Sequence, residues 1–513
     1  MNPTDTTQSS SRGLALGVLC AMQLMIVLDG TIVTVALPTI QNELGFSQSG
    51  LSWVVNSYLI AFAGLLLLSG RLGDLIGSKK VFLGGLVTFT AASLVCGVAN
   101  SEGLLIAGRF AQGVGAALAS AVVLGMIVGL YPEPGKQAKA MGIYSFVSAG
   151  GASVGLIAGG VITESLGWHW VFLVNLPIGV VAFLAGIKLL ATTDGLGLRA
   201  GADAIGAILV TGGLSLGVFT ISQVSEPSQS AGRLLTYGAI SIVLLAGFVL
   251  RQAKASRPLL ALRIFRNREI SGANIVVILV FAAGFGFQFL NALYLQRVLG
   301  FDSMQTGLAF LPAPLVIGTM SLFFSVKLTV RYGTRRVLLT GLAALAVGLV
   351  LLSRAPVDGN YWQHVMPTLI IQGFGMGLAV PAVMMRAMSG AAPEDAGLAS
   401  GLNSTAQQSG AAVGLAVLAT VATSRSNSLL DKGAENVSAL RDGYSLAFLF
   451  SAAFVALGFL ATYFILKDAP KAEPLPEAAP EAAPALDGRQ DAVSAQNTAQ
   501  STARAAGETV AAK

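Results

Sequence analysis

The chain contains about fourteen stretches, each near the ~20 apolar residues that a helix needs to cross a hydrocarbon layer. They lie at roughly 13–39, 51–70, 80–99, 103–130, 139–162, 169–190, 204–224, 234–251, 270–296, 307–327, 335–353, 365–389, 397–424 and 444–466. Within lipid, backbone N–H and C=O groups must bond one another, so runs of this length specify helices. Only 11% of the residues are charged, against ~25% in a soluble domain. Too few polar groups remain to cover a water-soluble particle of 513 residues. The expected class is an all-α membrane protein.

The remaining composition excludes other classes. The formal charge of +6 is spread over short loops. No basic patch with interleaved aromatics marks a nucleic-acid partner. Cys20 and Cys96 fall in apolar spans, so neither a disulfide framework nor a zinc motif is expected. The first apolar run is too long for a signal-peptide core and is expected to stay as a span.

Lys and Arg orient the spans. With the N-terminus inside, the inner ends and loops hold 20 basic residues and the outer loops hold 6. The positive-inside rule then places both termini in the cytoplasm. Beyond about Lys467 the chain is rich in Ala, Pro and Glu and lacks aromatics, which predicts a disordered tail.

An internal repeat divides the chain. Arg71-x5-Gly77-x-Lys79-Lys80-Val81 recurs as Lys327-x5-Gly333-x-Arg335-Arg336-Val337, and Gln112-Gly113-Val114-Gly115 recurs as Gln372-Gly373-Phe374-Gly375. Two echoes at nearly one offset predict two pseudo-symmetric six-helix bundles plus two inserted helices, with a site near the midplane. The expected division is a cytoplasmic N-terminus at 1–12, a first bundle at 13–190, inserted helices and linker at 191–268, a second bundle at 269–466 and a cytoplasmic tail at 467–513.

Several motifs carry a family resemblance. Leu28-Asp29-Gly30-Thr31-Ile32-Val33, the loop Gly70–Lys80, Trp168-His169-Trp170 with Asn175-Leu176-Pro177, and Tyr294-Leu295-Gln296 occur in that order. The chain resembles the fourteen-span drug:proton antiporter branch of the major facilitator superfamily. That resemblance implies a transporter rather than an enzyme, with no cofactor and the proton gradient as its energy source. It implies small amphiphilic substrates, protons and the lipid bilayer as partners, a monomer, and a multi-pass location in the cell (inner) membrane. It also assigns Gly70, Asp74, Gly77, Lys79 and Lys80 to a cytoplasmic gate loop in which Asp74 latches one conformation. Gly142, Gly151, Gly155, Gly159 and Gly160 resemble the superfamily's antiporter signature, although Leu156 stands where Pro is usual. Spacings of four put Gly151, Gly155 and Gly159 on one bare helix face.

Asp29 is the only ionisable residue of its span, and a charge there is costly unless paired, hydrated or neutralised. Arg109, in span four, cannot lose its proton and needs a partner. At ~1.5 Å per residue both lie in the outer half, ~15 Å and ~9 Å from the outer ends of their helices. The second half has Leu369 at the position of Arg109, so the pair belongs to one repeat only. Asp29 and Arg109 are the candidate proton-coupling residues. Candidate cavity groups are Asn56, Tyr58, Gln112, Gln288, Asn291, Tyr294, Gln372, Asn403 and Gln407, with apolar cover from Phe285, Phe289 and Met376. Competing readings are an uptake symporter of the same fold and a membrane sensor or enzyme. No Walker A sequence, zinc spacing or nucleophile elbow supports the last.

Overall fold

A computed structural model describes residues 3–192, 195–197, 201–225, 229–255, 258–389 and 396–466. The predicted tail at 467–513 and the acidic pair Glu394 and Asp395 lie outside the described residues. In chain order the long helices are α1 (Pro3–Leu44), α2 (Trp53–Ile76), α3 (Ser78–Gly97), α4 (Glu102–Leu130), α5 (Pro134–Leu166), α6 (His169–Leu189) and α7 (Ala204–Ser222). They continue with α8 (Ala231–Lys254), α9 (Arg268–Arg297), α10 (Ser303–Ser325), α11 (Thr334–Ser353), α12 (Tyr361–Ala387), α13 (Ala396–Leu430) and α14 (Asn436–Ile465). The first helix begins at Pro3, earlier than the separate N-terminus expected at 1–12, and runs through Pro38.

Thirteen of these helices are long and apolar enough to cross a membrane. The remaining one, α13, has 35 residues and packs against α2, α9 and α14. Its first half places Ser400, Ser404, Gln407 and Gln408 on a cavity wall, which lowers its apolar content.

Backbone geometry displays the repeat directly. Gly77 and Gly333 both have positive φ, +95° and +87°, and each starts a 20-residue helix. Glycine is suited to that left-handed region because it has no Cβ. Gly85 of α3 abuts Gly115 and Ala119 of α4, as Gly341 of α11 abuts Gly375 and Ala379 of α12. A Cβ on Gly85 would lie 2.6 Å from the Ala119 nitrogen, and one on Gly341 would lie 2.8 Å from the Ala379 nitrogen. Gly113 meets the backbone of Tyr58, as Gly373 meets that of Ala313. Gly155 of α5 packs on Leu28 and Thr31 of α1, as Gly414 of α13 packs on Ala282 of α9. Small residues thus set the same close helix approaches twice.

The halves meet along two seams, α2 with α13 and α5 with α10, and between α1 and α9. The helix ends that hold Arg71, Lys79, Lys80, Arg335 and Arg336 define one end of the bundle. At the opposite end the halves are closed on each other. Gln296 Nε2 donates to the Val35 carbonyl at 3.0 Å. Gly160 of α5 meets the backbone of Ser303 and Met304, and Gly307 meets the Leu156 carbonyl. An apolar core there joins Ile32, Val33 and Leu37 with Phe287, Leu290 and Phe310.

The inserted helix α7 touches both halves. Gly64 of α2 lies against Thr211, and Trp53 Nε1 donates to Ser222 Oγ at 3.2 Å. Thr420 of α13 donates to the Ile221 carbonyl at 3.0 Å. Helices α7 and α8 are joined by Asp203, the N-cap of α7. It accepts hydrogen bonds from the Gly206 amide at 3.0 Å, Arg251 Nε at 3.0 Å and Gln252 Nε2 at 2.8 Å. Burial alone would raise the Asp203 pKa, but these three donors hold it below the ordinary carboxylate value.

The stabilisation from Asp203 is therefore present above the unfolded carboxylate pKa of ~3.9 and is lost as pH falls through the lowered folded value. An Asp203→Ala variant removes the cap and the pair together. Loss of a cap costs ~1 kcal/mol. Hydrogen exchange of the first-turn amides of α7 should accelerate about fivefold at neutral pH; unchanged exchange would refute the capping role.

Candidate functional site

Asp29 and Arg109 meet inside the first bundle, and both are fully buried. Arg109 Nη1 donates to Asp29 Oδ2, while Arg109 Nε donates to the Val54 carbonyl at 2.8 Å. Gln112, one turn along α4, faces the same side. Its Nε2 donates to Asp29 Oδ1 at 3.0 Å and to Ser93 Oγ at 2.8 Å, and its Oε1 accepts from Arg109 Nη1 at 2.8 Å. Ser93 Oγ donates in turn to the Phe89 carbonyl at 2.8 Å. The guanidinium carbon lies 4.6 Å from the centroid of the Tyr58 ring and 5.8 Å from that of Phe172. Each component has a local reason. Arg109 and Gln112 share a face of α4, Phe89 and Ser93 share a face of α3, and Val54 and Tyr58 share a face of α2.

The second half replaces this pair with hydrocarbon. Gly155 faces Leu28 as Gly414 faces Ala282, so Ala283 stands where Asp29 stands. Leu369 takes the place of Arg109, and both replacements are buried.

A cavity of about 1040 Å³ lies between the halves and reaches the basic end, where Arg71 and the exposed Asp74 line its mouth. Of the residues chosen from sequence, Tyr58, Arg109, Gln288 and Gln407 line it, with Phe285 and Phe289. Gln372 and Met376 line a smaller side pocket in the second half. Five others stand off both spaces. Gln112 is buried in the Asp29 network. The Tyr294 hydroxyl donates to the Pro356 carbonyl at 3.0 Å, near the closed end. Asn403 Oδ1 accepts from Gln407 Nε2 at 2.6 Å. The amides of Asn56 and Asn291 are buried without a hydrogen-bond partner among the described residues.

Sequence reasoning missed Gln23, Thr31, Thr34, Tyr144, Ser404 and Gln408, which also line the cavity. The Tyr144 hydroxyl donates to Gln23 Oε1 at 2.6 Å across its wall. A signal was present in the spacing: Gln23, Ile26, Val27, Gly30, Thr31 and Thr34 form one stripe of α1. Asp29 lies off that stripe and faces the bundle.

Of the gate-loop residues, Gly70 and Asp74 line the cavity mouth, whereas Gly77, Lys79 and Lys80 do not. Asp74 sits 3.6 Å from Arg71 of its own helix, and Gly70 lines the cavity. The Asp74 carbonyl accepts from the Leu196 amide at 2.9 Å. Lys79 Nζ donates to the Ile187 carbonyl at 2.8 Å, a favourable position for a cation near the C-terminus of α6. Lys80 is exposed. Among the glycines of α5, Gly151, Gly155 and Gly159 pack on α1, Gly160 faces α10, and Gly142 has open space. Gly410 and Gly414 pack on α9 in the same way, so much of this face is packing common to both repeats.

The Major Facilitator Superfamily profile matches residues 19–415 and 275–504. The chain is 36% identical to the puromycin resistance protein pur8 of Streptomyces alboniger, over 90% of this chain and 92% of that one. It is 38% identical to the cephamycin export protein CmcT of Amycolatopsis lactamdurans, over 81% and 86%. An auto-inhibited POT family peptide transporter shares the fold with a TM-score of 0.65 at 15% identity, over 91% of this chain and 99% of that one. The chain belongs to the Major Facilitator Superfamily. It is a multi-pass membrane transporter of small molecules.

The apolar second half suggests a direct test of the buried pair. Removing one member of a buried ion pair typically costs ~3–5 kcal/mol, whereas apolar replacement of both is often neutral or stabilising. Asp29→Ala and Arg109→Leu should each lower the thermal unfolding midpoint in detergent. The double variant, which copies Ala283 and Leu369, should recover most of that loss. A double variant no more stable than the singles would refute this account.

Proposed function

We propose that the chain is a proton-coupled antiporter that exports small amphiphilic molecules, including antibiotics, by alternating access. The relatives named for puromycin resistance and cephamycin export support the substrate class and the direction. The carrying observation is the position of Arg109. It lines the cavity on one side and holds the fully buried Asp29 on the other. Any proton that neutralises Asp29 removes the counter-charge of Arg109. The guanidinium then needs a new partner, and the nearest open space is the substrate cavity.

The cavity is open at the basic end, which the positive-inside rule assigns to the cytoplasm of a cell-membrane protein with both termini inside. A substrate enters there while Asp29 is ionised and paired. Opening of the opposite end lets Asp29 take a proton and frees the site of substrate. Return to the inward-open form delivers the proton to the cytoplasm. Each chain carries its own cavity and coupling pair, which supports a monomeric working unit.

The test uses protein reconstituted in liposomes, with compounds chosen by a susceptibility screen of a strain lacking the transporter. Wild-type protein should move them against their gradient when a pH gradient is imposed. Asp29→Asn should abolish gradient-driven export at least a hundredfold while retaining gradient-free exchange. Full pH-driven export by that variant would overturn the assignment of Asp29.

A further inference from the structure

We infer that the side pocket of the second half is a binding site for an apolar arm of the exported molecule, about the size of one substituted aromatic ring. The inference rests on the export reading above and specifies its substrate class. The pocket has a volume of about 200 Å³ and shares Thr31, Phe285 and Gln288 with the main cavity. A molecule in the main cavity can therefore extend into it. For scale, a dry apolar cavity of ~150 Å³ accepts benzene.

Pseudo-symmetry explains why the space exists. The repeated glycine contacts equate Asp29 with Ala283, Tyr58 with Ala313, Phe89 with Leu345, Ser93 with Leu349 and Gln112 with Gln372. All five second-half residues line the pocket. In the first half the corresponding space is filled by the Asp29–Arg109–Gln112 network under the Tyr58 ring. In the second half shorter or apolar side chains leave it empty. One bundle thus handles the proton, and its twin, closed by Thr31, Ala152 and Leu156 of the first half, offers a volume lined by hydrocarbon with the amides of Gln288 and Gln372 and the Thr31 hydroxyl.

Charge narrows the class further. Among the described residues, no ionisable side chain lines the pocket. Among the described residues, the charged ones lining the main cavity are Arg71 and Asp74 at the mouth and Arg109 in the depth. Asp29 is screened from the cavity by its own partners. Among the described residues, no carboxylate lines the depth of the cavity. The site suits an amphiphile with an uncharged or anionic body and one compact apolar arm.

Gly284 provides the test position, because it lines the pocket and a Cβ there would meet only the Met376 methyl at 3.6 Å. Gly284→Cys is labelled in membrane vesicles with N-benzylmaleimide and with N-(2-hydroxyethyl)maleimide. Ser404→Cys, on the main cavity wall, serves as reference. The benzyl-to-hydroxyethyl rate ratio should be at least tenfold higher at position 284 than at 404. Equal ratios, or no labelling at 284, would overturn the pocket. Asp29→Asn in the same background should leave the labelling ratio unchanged while removing pH-driven export, so the pocket and the coupling reading fail separately. Gly284→Leu, which fills the space, should reduce export of compounds with a single-ring arm at least tenfold and of compounds without one less than threefold. An equal loss for both sets, with the variant still folded by size-exclusion chromatography, would overturn the specificity role.

Discussion

A permanently charged guanidinium inside a membrane bundle has to be matched by something, and much of the first half is arranged around that need. Arg109 takes its counter-charge from Asp29, a further acceptor from the Val54 carbonyl and aromatic faces from Tyr58 and Phe172. Gln112 then satisfies what remains of the carboxylate and hands the chain of bonds on to Ser93. Four helices supply the hydrogen bonds of this network and α6 adds the Phe172 ring, so a rearrangement there touches several helices at once. Any change in the charge of Asp29 is felt by α1, α2, α3 and α4 together. That is a physical route from one proton to a movement of the bundle.

Glycine is the counterpart of this polar anchoring. At Gly85, Gly115, Gly341 and Gly375 the helix backbones approach so closely that a methyl group would not fit. These contacts occur at matching places in both halves and hold the two frames alike while their interiors diverge. One interior is polar and filled, and the other is apolar and partly empty. A duplicated fold thus presents two unlike interiors to one cavity.

Much of the fold was legible in the sequence because membrane helices announce themselves by length and apolarity. The repeat was legible because glycine at a tight crossing and at positive φ leaves few alternatives. The Asp29–Arg109 pair was legible because isolated charges in hydrocarbon must find each other. The cavity wall was less so. Tyr294 and Asn291 look no different in sequence from Gln288, since a polar residue in an apolar run can face a void, a neighbouring helix or its own backbone. The stripe of α1 from Gln23 to Thr34 is visible only when the helix face opposite Asp29 is followed. The side pocket leaves no sequence signal of its own, because it consists of what Ala283 and Ala313 fail to fill.

The two hydrogen bonds at the far end of α7 have a mechanical consequence. That helix is tied to the first half through Trp53 and Gly64 and to the second through Thr420. When the halves part at that end, a rigid rod cannot follow both. The ring contact between Trp53 and Phe219 and the tight seat of Thr211 on Gly64 bind it to the first half, and its packing on α13 binds it to the second. The Thr420 bond adds a net ~1 kcal/mol to that packing. The inserted helix thus spans the seam held from both sides, so any parting of the halves at that end must break its contacts with one of them.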